Sequence, residues 1–160
     1  MSHWIDACLE EEYRFREEVK QFIQAGQRFI AELKNEVLAD ISEYKKHFPN
    51  GQVIVRDINN GITISRPSIG PGPELKASIH FNPIRKMFVY RIANSERLGG
   101  YFPASLRQGD LDIDFSKSGV SRERLTSYLL TPVFFPELCN DEGVLRYVES
   151  QLGLDEIQDR

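Results

Sequence analysis

The sequence predicts an α+β fold in which a long N-terminal helix packs on an antiparallel sheet. Apolar residues recur every three or four positions over the first third of the 160-residue chain, a pattern typical of an amphipathic helix. The middle third alternates apolar and polar residues between turn signals, as short strands do. We therefore expect a long helix, a β-meander of about five strands with one covered face, and two short C-terminal helices.

Residues 1–50 form the predicted long helix, which ends with Lys45, Lys46 and His47 before a proline. A single helix of this span would be about 66 Å long, whereas a compact domain of this size is on the order of 40 Å across. Gly26 and Asp40 are the two places where it could break, but the apolar stripe continues past both. The stripe comprises Phe15, Val19, Phe22, Gly26, Phe29, Leu33, Val37, Ile41, Tyr44 and Phe48.

Residues 51–116 form the predicted sheet, with strands at 52–58, 62–66, 75–81, 84–93 and 106–115. Asn60-Gly61 predicts a two-residue hairpin turn between the first two strands. Irregular chain is expected at 67–73 and around Gly99, Gly100 and Pro103. The alternation assigns Val53, Val55, Ile62 and Ile64 to the helix side and Arg56, Thr63 and Ser65 to the other side.

Residues 120–154 form the predicted C-terminal helices, followed by a tail at 155–160. The first helix, 121–130, is capped by Ser121 and stops before Pro132. The second spans 141–152. We interpret residues 1–160 as a single domain.

The composition predicts a soluble, cytoplasmic protein. Hydrophobic residues make up 41% of the chain and charged residues 28%, which are ordinary globular values. No apolar run approaches the ~20 residues of a membrane helix, and no signal pattern is present. The two cysteines match neither a metal site nor a disulfide framework, so we expect buried or inert thiols.

The net charge of −4 is unevenly distributed, with −3 over residues 1–50, +4 over 51–110 and −5 over 111–160. Either the acidic flanks neutralise the basic middle, or the middle forms a groove for an anionic partner. The first interpretation is favoured because the excess of positive charge is small.

Asp110, Asp112 and Asp114 alternate, so a strand would project all three from one face. With His80 they suggest an alternative function, a metal-assisted hydrolase or nuclease using Asp112 and Asp114. A solvated acidic strand explains the same pattern. We expect no metal and no cofactor.

A third function would be a sheet that binds nucleic acid, because Arg85, Lys86, Phe88, Tyr90 and Arg91 interleave cations with aromatics. The alternation instead places Phe88 and Tyr90 in the core, so nucleic-acid binding is not expected. No catalytic motif is present, and no small-molecule ligand is evident. The enzyme question stays open, with a non-enzymatic protein favoured.

The leading hypothesis is a protein–protein interaction module, such as an adaptor, an inhibitor or a chaperone-like subunit. The predicted helix is too long for a sheet of about five strands to cover, since strands are about 4.8 Å apart. Part of its stripe should therefore face another protein or a second copy of the chain. The expected partner-binding residues are Trp4, Phe15, Phe22 and Phe29, and the simplest partner is a two-fold dimer with antiparallel helices.

Overall fold

A single uninterrupted helix, α1 (His3–His47), forms the first element of the protein. The computed structural model describes residues 3–67, 74–92, 95–116, 118–138, 142, 144, 145, 148 and 149, without the side chains of 95–97. The helix has 45 residues and is therefore about 67 Å long. The prediction of a continuous helix through Gly26 and Asp40 is confirmed.

Gly26 lies inside α1 because the helix approaches the sheet closely at this residue. A Cβ atom at this position would lie 2.9 Å from the ring of Phe81. The Phe81 ring is itself buried and packs against Phe22 and Phe88. The glycine therefore permits close helix–sheet packing, although glycine lowers helix propensity.

The sheet is an antiparallel meander in which each strand pairs with its sequence neighbours. This confirms the predicted α+β fold, with six strands in the sheet. The strands are β1 (Ile54–Ile58), β2 (Gly61–Arg66), β3 (Leu75–Asn82), β4 (Met87–Ile92), β5 (Ser95–Arg107) and β6 (Asp110–Ile113).

The first hairpin turn lies one residue earlier than predicted. Ile58 pairs with Gly61, so the two turn residues are Asn59 and Asn60, and Asn60 adopts a φ of 60°. Gly61 belongs to β2, where a Cβ atom would overlap the carbonyl oxygen of Ile79 on β3. The glycine thus serves close strand pairing, while asparagine supplies the left-handed turn conformation.

The faces of this hairpin follow the predicted alternation. Val53, Ile62 and Ile64 are buried in the core, and Arg56 is exposed on the other face. The small outer-face side chains Thr63 and Ser65 are also buried. That burial was not predicted.

Two further strands occupy the stretch predicted as an irregular segment and a single strand. Gln108 and Gly109 have φ angles of 54° and 82° and form a hairpin turn between β5 and β6. Leu106 pairs with Leu111, and both lie on the inner face. In one continuous strand, residues an odd number of positions apart lie on opposite faces. Because the two leucines are five positions apart and share the inner face, a turn must separate them.

Pro103 and Gly100 fit into β5 for local reasons. Pro103 pairs with Met87 at the end of the β4–β5 ladder, immediately before the pairing with β6 begins at Ala104. A proline is tolerated where a strand's ladder ends. Gly100 lies against the Tyr90 side chain, whose hydroxyl oxygen would be 2.6 Å from an added Cβ.

The predicted fourth strand begins later than expected, at Met87. The side-chain oxygen of Asn82 accepts hydrogen bonds from the backbone N–H groups of Ile84 and Arg85, both at 3.0 Å. These bonds stabilise a turn over residues 83–86, in the way that asparagine side chains commonly initiate turns.

One hydrophobic core lies between the inner face of the sheet and the helices. Helix α1 contacts both β2 and β6, so the sheet curls around it. The core includes Leu33, Val37, Ile79 and Phe88. Among the described helices, none has the length and apolar character needed to cross a membrane.

Helix α2 (Arg122–Phe134) continues beyond its predicted end and contains Pro132. Pro132, Val133 and Phe134 are all buried, so the packing of this last turn offsets the cost of a proline in a helix. Ser121 occupies the N-cap position but its side chain makes no capping hydrogen bond.

A 3-10 turn follows at Pro136–Leu138. The second predicted helix, 141–152, lies largely outside the described residues, as does the tail.

Candidate functional site

The first 14 residues of α1 that the structure describes, residues 3–16, are all exposed, and we call this segment the arm. At 1.5 Å per residue it is about 21 Å long. Isolated helices of this length are marginal in water because nucleation is costly. The arm avoids that cost because it extends a helix already held by its packed part.

The arm presents five large apolar side chains to solvent: Trp4, Ile5, Leu9, Tyr13 and Phe15. Trp4 is 71% exposed and Phe15 is 47% exposed. Trp4, Cys8 and Phe15 lie on the line of the core stripe, with Glu11 and Glu12 at the turn between Cys8 and Phe15. Leu9 and Tyr13, which are four residues apart, form a second row on another side of the helix, at least about 100° around the axis from the stripe. Apolar groups clustered this way on a surface commonly mark an interaction site.

Cys8 is exposed and unpaired within the described chain. Burial, one of the two predicted alternatives for the thiols, is therefore excluded for Cys8, because this residue lies on a part of the stripe that the sheet does not reach. That its thiol is inert stays a prediction. Cys139 lies outside the described residues.

The structure excludes Phe22 from the predicted partner-binding surface. Phe22 has no exposed surface, and its ring centroid lies 6.0 Å from that of Phe81 and 6.4 Å from that of Phe88. Its assignment as partner-binding is wrong, because the sheet begins to cover α1 at this turn. The assignments of Trp4 and Phe15 remain predictions.

Phe29 is also engaged within its own chain. Its ring makes an edge contact with Phe88 at a centroid distance of 4.9 Å, and the Arg122 guanidinium lies 5.2 Å from its centroid. The geometry suits a cation–π contact. Phe29 is only partly buried, and these contacts place it in the α1–α2 interface, while its assignment as partner-binding stays a prediction.

The same arginine joins α1 to α2 through Glu36. Arg122 donates two hydrogen bonds to the Glu36 carboxylate, at 3.0 and 3.1 Å, and the Thr126 hydroxyl donates a third at 3.0 Å. The hydrogen bonds from Arg122 and Thr126 lower the pKa of Glu36, outweighing the opposite effect of its burial. Two-pronged arginine–carboxylate pairs fix geometry as well as charge.

Charge is unevenly placed along the exposed part of α1. Residues 3–12 contain four acids and no lysine or arginine, whereas residues 13–20 contain three cations and two acids. Glu12 and Arg16 form an ion pair at 2.7 Å. Just after the arm, Glu18 forms an ion pair with Lys86 of the β3–β4 turn at 3.2 Å. This contact holds α1 to the sheet at the point where the arm begins to extend beyond it.

The residues of the metal-assisted alternative are not brought together. Asp110 and Asp112 share the outer face of β6 and pair with the strand positions of Arg107 and Ser105. His80 is on β3, three strands away, a separation on the order of 14 Å along the sheet. Asp112 forms an ion pair with Arg107 at 3.0 Å. Among the described residues, no group of three or more His, Cys, Asp and Glu side chains is placed to hold a metal.

Asp114 has a local structural role. Its carboxylate accepts hydrogen bonds from the backbone N–H of Ser116 at 2.9 Å and from the Ser116 hydroxyl at 2.6 Å. Its own N–H donates to the carbonyl of Pro103 at 2.8 Å. Asp114 thus stabilises the turn that ends the sheet.

The aromatic residues of β4 are unavailable for base stacking. Phe88 and Tyr90 are buried, and Tyr90 stacks on Phe102 at a centroid distance of 4.7 Å. Burial also raises the pKa of the Tyr90 hydroxyl. On the outer face of β4 and β5, the exposed aromatic is Tyr101, opposite Val89.

The outer face of the sheet carries a cavity of about 730 Å³ above β3, β4 and β5. Its lining includes Lys76, Ser78, Met87, Val89, Arg91 and Tyr101. A smaller cavity of about 300 Å³ lies between the end of α1 and α2, beside Asp40 and Tyr44. Burial, and next the charge of Glu36, raise the pKa of Asp40. The sequence had suggested no small-molecule ligand, so both cavities are additional features.

Comparison with protein-family models, curated proteins and solved structures found no match to this chain.

Proposed function

We propose that the protein is an interaction module whose exposed helical arm binds a second copy of the chain. The observation that carries this proposal is the arm itself, in which an apolar stripe continues for about four turns past the sheet. A two-fold dimer would bury the same patch twice. The arm's exposed aromatic side chains are the residue types that dominate protein interfaces.

The charge pattern of α1 favours antiparallel pairing of the two arms. Residues 3–12 have a net charge of −4 and residues 13–20 a net charge of +1. An antiparallel pair sets the acidic part of one arm beside the weakly basic part of the other, whereas a parallel pair would set the two acidic parts together. Like charges at close range oppose association.

The apolar stripe suggests the register of this pair. In this register, Trp4 of one copy lies opposite Val19 of the other, and Cys8 lies opposite Phe15. The residue numbers of both pairs add up to the same value, as a single antiparallel register requires. The symmetry axis then passes near Glu12, whose charge is already partly compensated by Arg16 at 2.7 Å. Such a dimer places Trp4 of one copy over the turn of α1 just before Phe22.

The first test compares two aromatic-to-glutamate substitutions on the same arm. We expect the unmodified protein to show about twice the 18.4 kDa chain mass in size exclusion with light scattering, and Phe15→Glu to shift it towards the monomer. Tyr13→Glu is the matched control, because Tyr13 is also exposed but lies off the stripe. An unmodified protein that stays monomeric at high micromolar concentration would refute the proposal.

A second test reads the register directly. With Cys139 replaced by serine, Cys8 is the remaining native thiol. Phe15→Cys should then form an intermolecular disulfide with Cys8 of the other copy under mild oxidation, because disulfides require Cα atoms within about 7 Å. Tyr13→Cys is the control and should cross-link poorly. A dimer in which both variants cross-link equally would contradict the proposed register.

The adaptor role is proposed as non-enzymatic and cytoplasmic. An exposed thiol on an interaction surface is compatible with a reducing compartment, where disulfides are rare. The two alternatives find less support: His80 is distant from Asp112, and the β4 aromatics are buried.

A further inference from the structure

The 730 Å³ cavity lies where β4 and β5 separate. Tyr90 pairs with Gly100 and Ile92 pairs with Ser95. Between these two pairs β4 advances by two residues, whereas β5 advances by five. Irregularities of this kind open the ladder locally and are common beside binding sites. The cavity volume falls within the ~300–1,000 Å³ of small-molecule sites.

One end of the cavity is cationic. Arg91 lies directly opposite Ser78 on the neighbouring strand, and Lys76 is two residues from Ser78 on the same strand and face. Both side chains line the cavity. Within the described part of the chain, neither cation makes a hydrogen bond or an ion pair. The register makes them diagonal neighbours on adjacent strands, about 7–8 Å apart at the backbone, which long side chains can span to reach one anion.

Strands β1 to β4 add no opposing charge within the paired part of the outer face. The outer positions of β1 to β4 that the pairing defines contain three cations and no carboxylate: Ile54, Arg56, Ile58, Gly61, Thr63, Ser65, Lys76, Ser78, His80, Asn82, Met87, Val89 and Arg91. Asp57 faces the other way and pairs with Lys34 of α1 at 2.8 Å. The positive charge of β1 to β4 is therefore not compensated at the paired outer positions of these strands. Asp110 and Asp112 lie on the outer face of β6, where Asp112 pairs with Arg107 at 3.0 Å.

The other end of the cavity is apolar. Arg91, Val89 and Met87 alternate along one face of β4, so the lining changes from cationic to apolar over about 13 Å. Tyr101 lies opposite Val89 on β5 and extends the apolar wall. A cavity with convergent polar groups at one end and apolar lining elsewhere is the usual form of a site for an amphiphilic molecule.

We propose that this cavity binds an organic acid with an unbranched apolar body. Lys76 and Arg91 hold the carboxylate, with the planar guanidinium suited to two parallel hydrogen bonds, and Ser78 lies between them. The apolar body lies along Val89, Tyr101 and Met87. This site is on the opposite face of the sheet from α1, so it is independent of the dimer formed by the arm.

Calorimetric titration with decanoate tests the proposal, with decyltrimethylammonium as a probe that has the same apolar body and the opposite charge. Decanoate should bind and the cation should not, at concentrations below those at which either forms micelles. Decanoate affinity should fall as salt is raised. Equal binding of both probes would overturn the proposal, because it would show non-specific apolar adsorption.

Variants then locate the site. Lys76→Gln and Arg91→Gln should each weaken decanoate binding about tenfold, as expected for the loss of one charge-assisted contact. Arg85→Gln is the matched control, because Arg85 is exposed in the β3–β4 turn and does not line the cavity. Both cavity cations are exposed, so their removal should leave the circular dichroism spectrum unchanged. If the variant with both Lys76→Gln and Arg91→Gln bound decanoate with unchanged affinity, the assignment of the site would be overturned.

Two further measurements separate this proposal from the others. The monomerising Phe15→Glu variant should bind decanoate with unchanged affinity, so the failure of either proposal can be recognised without the other. A single-stranded oligonucleotide should not displace decanoate at moderate salt. If the oligonucleotide displaced decanoate at lower concentrations than other carboxylates need, this face would be a nucleic-acid surface. That result would overturn the proposal.

Discussion

Residues 3–16 and residues 22–44 belong to the same uninterrupted helix and continue the same apolar stripe, yet only the second segment is packed against the rest of the chain. Phe15 is 47% exposed and Phe22, two turns later, is fully buried. The difference arises from the position of the sheet, whose cover begins near Phe81 and Phe88. Helical periodicity identifies a face that must be covered, and the tertiary structure decides what covers it.

The largest expected difference between the two segments is in stability. Phe22→Ala should lower the free energy of unfolding by about 3–5 kcal/mol, because it leaves a cavity beside the packed rings of Phe81 and Phe88. Phe15→Ala should change the intrinsic stability of the chain by less than about 0.5 kcal/mol. Chemical denaturation of the two variants at low protein concentration makes this comparison.

Protein concentration sharpens the same experiment. If the arm forms a dimer, the unfolding midpoint of the unmodified protein should rise with concentration, and Phe15→Ala should remove that dependence. Comparable losses for Phe15→Ala and Phe22→Ala at every concentration would show that the arm packs against its own chain in solution.

The sequence is sufficient to predict the class of fold and the burial of most of the stripe, because both depend on local periodicity. It does not distinguish Phe15 from Phe22, since the two share a stripe and differ only in what lies opposite. The turn residues show a similar limit. Asn60-Gly61 suggested a turn at both residues, but Gly61 is required by its contact with Ile79 on a strand far away in sequence.

Two features were not predicted: the turn between β5 and β6, for which the sequence contains a signal, and the outer-face cavity, for which it contains little. Leu106 and Leu111 are an odd number of residues apart, so their common inner face implies the turn at Gln108 and Gly109. The outer-face cavity depends on how β4 and β5 separate between Tyr90 and Ile92. Only the absence of acids at the outer positions of β1 to β4 hinted at it, because register irregularities are properties of strand pairing.

Gly26→Ala offers a second test of the packed segment. In a solvent-exposed helix this substitution stabilises by about 1 kcal/mol. Here the added methyl group would lie 2.9 Å from the buried ring of Phe81, so we expect a net loss of about 1–2 kcal/mol from overpacking. Thermal and urea denaturation should both detect it. A gain in stability would mean that α1 can move away from the sheet at little cost.

Glu36→Gln tests the link between the packed segment and α2. The side chain is 47% exposed, so solvent screening reduces the effect, and we expect a loss of about 1 kcal/mol at pH 7. The pKa of Glu36 is lowered on folding, so its contribution is complete above its ordinary value of 4.5 and disappears as the pH falls through the lower folded value. The unmodified protein and the variant should therefore converge in acid. A difference that persists at low pH would show that the carboxylate charge is not its source.

Glu12→Gln is the matching substitution in the arm and should have the smallest effect. The Glu12–Arg16 pair has a short distance of 2.7 Å, but both side chains are more than half exposed. Exposed pairs four residues apart on a helix contribute about 0.3–0.5 kcal/mol. In the Phe15→Glu monomer, the loss should appear as faster hydrogen exchange of the arm amides alone, since the arm can fray without unfolding the core.

Amides of residues 22–44 supply the internal control for that measurement, because they exchange through larger openings of the packed structure. Their rates should be unchanged by Glu12→Gln and increased by Glu36→Gln. The same chemical change would then act locally in one segment of α1 and on the whole domain in the other. Equal slowing or acceleration of both segments would show that the arm and the packed segment unfold as one unit, and the distinction between them would not hold.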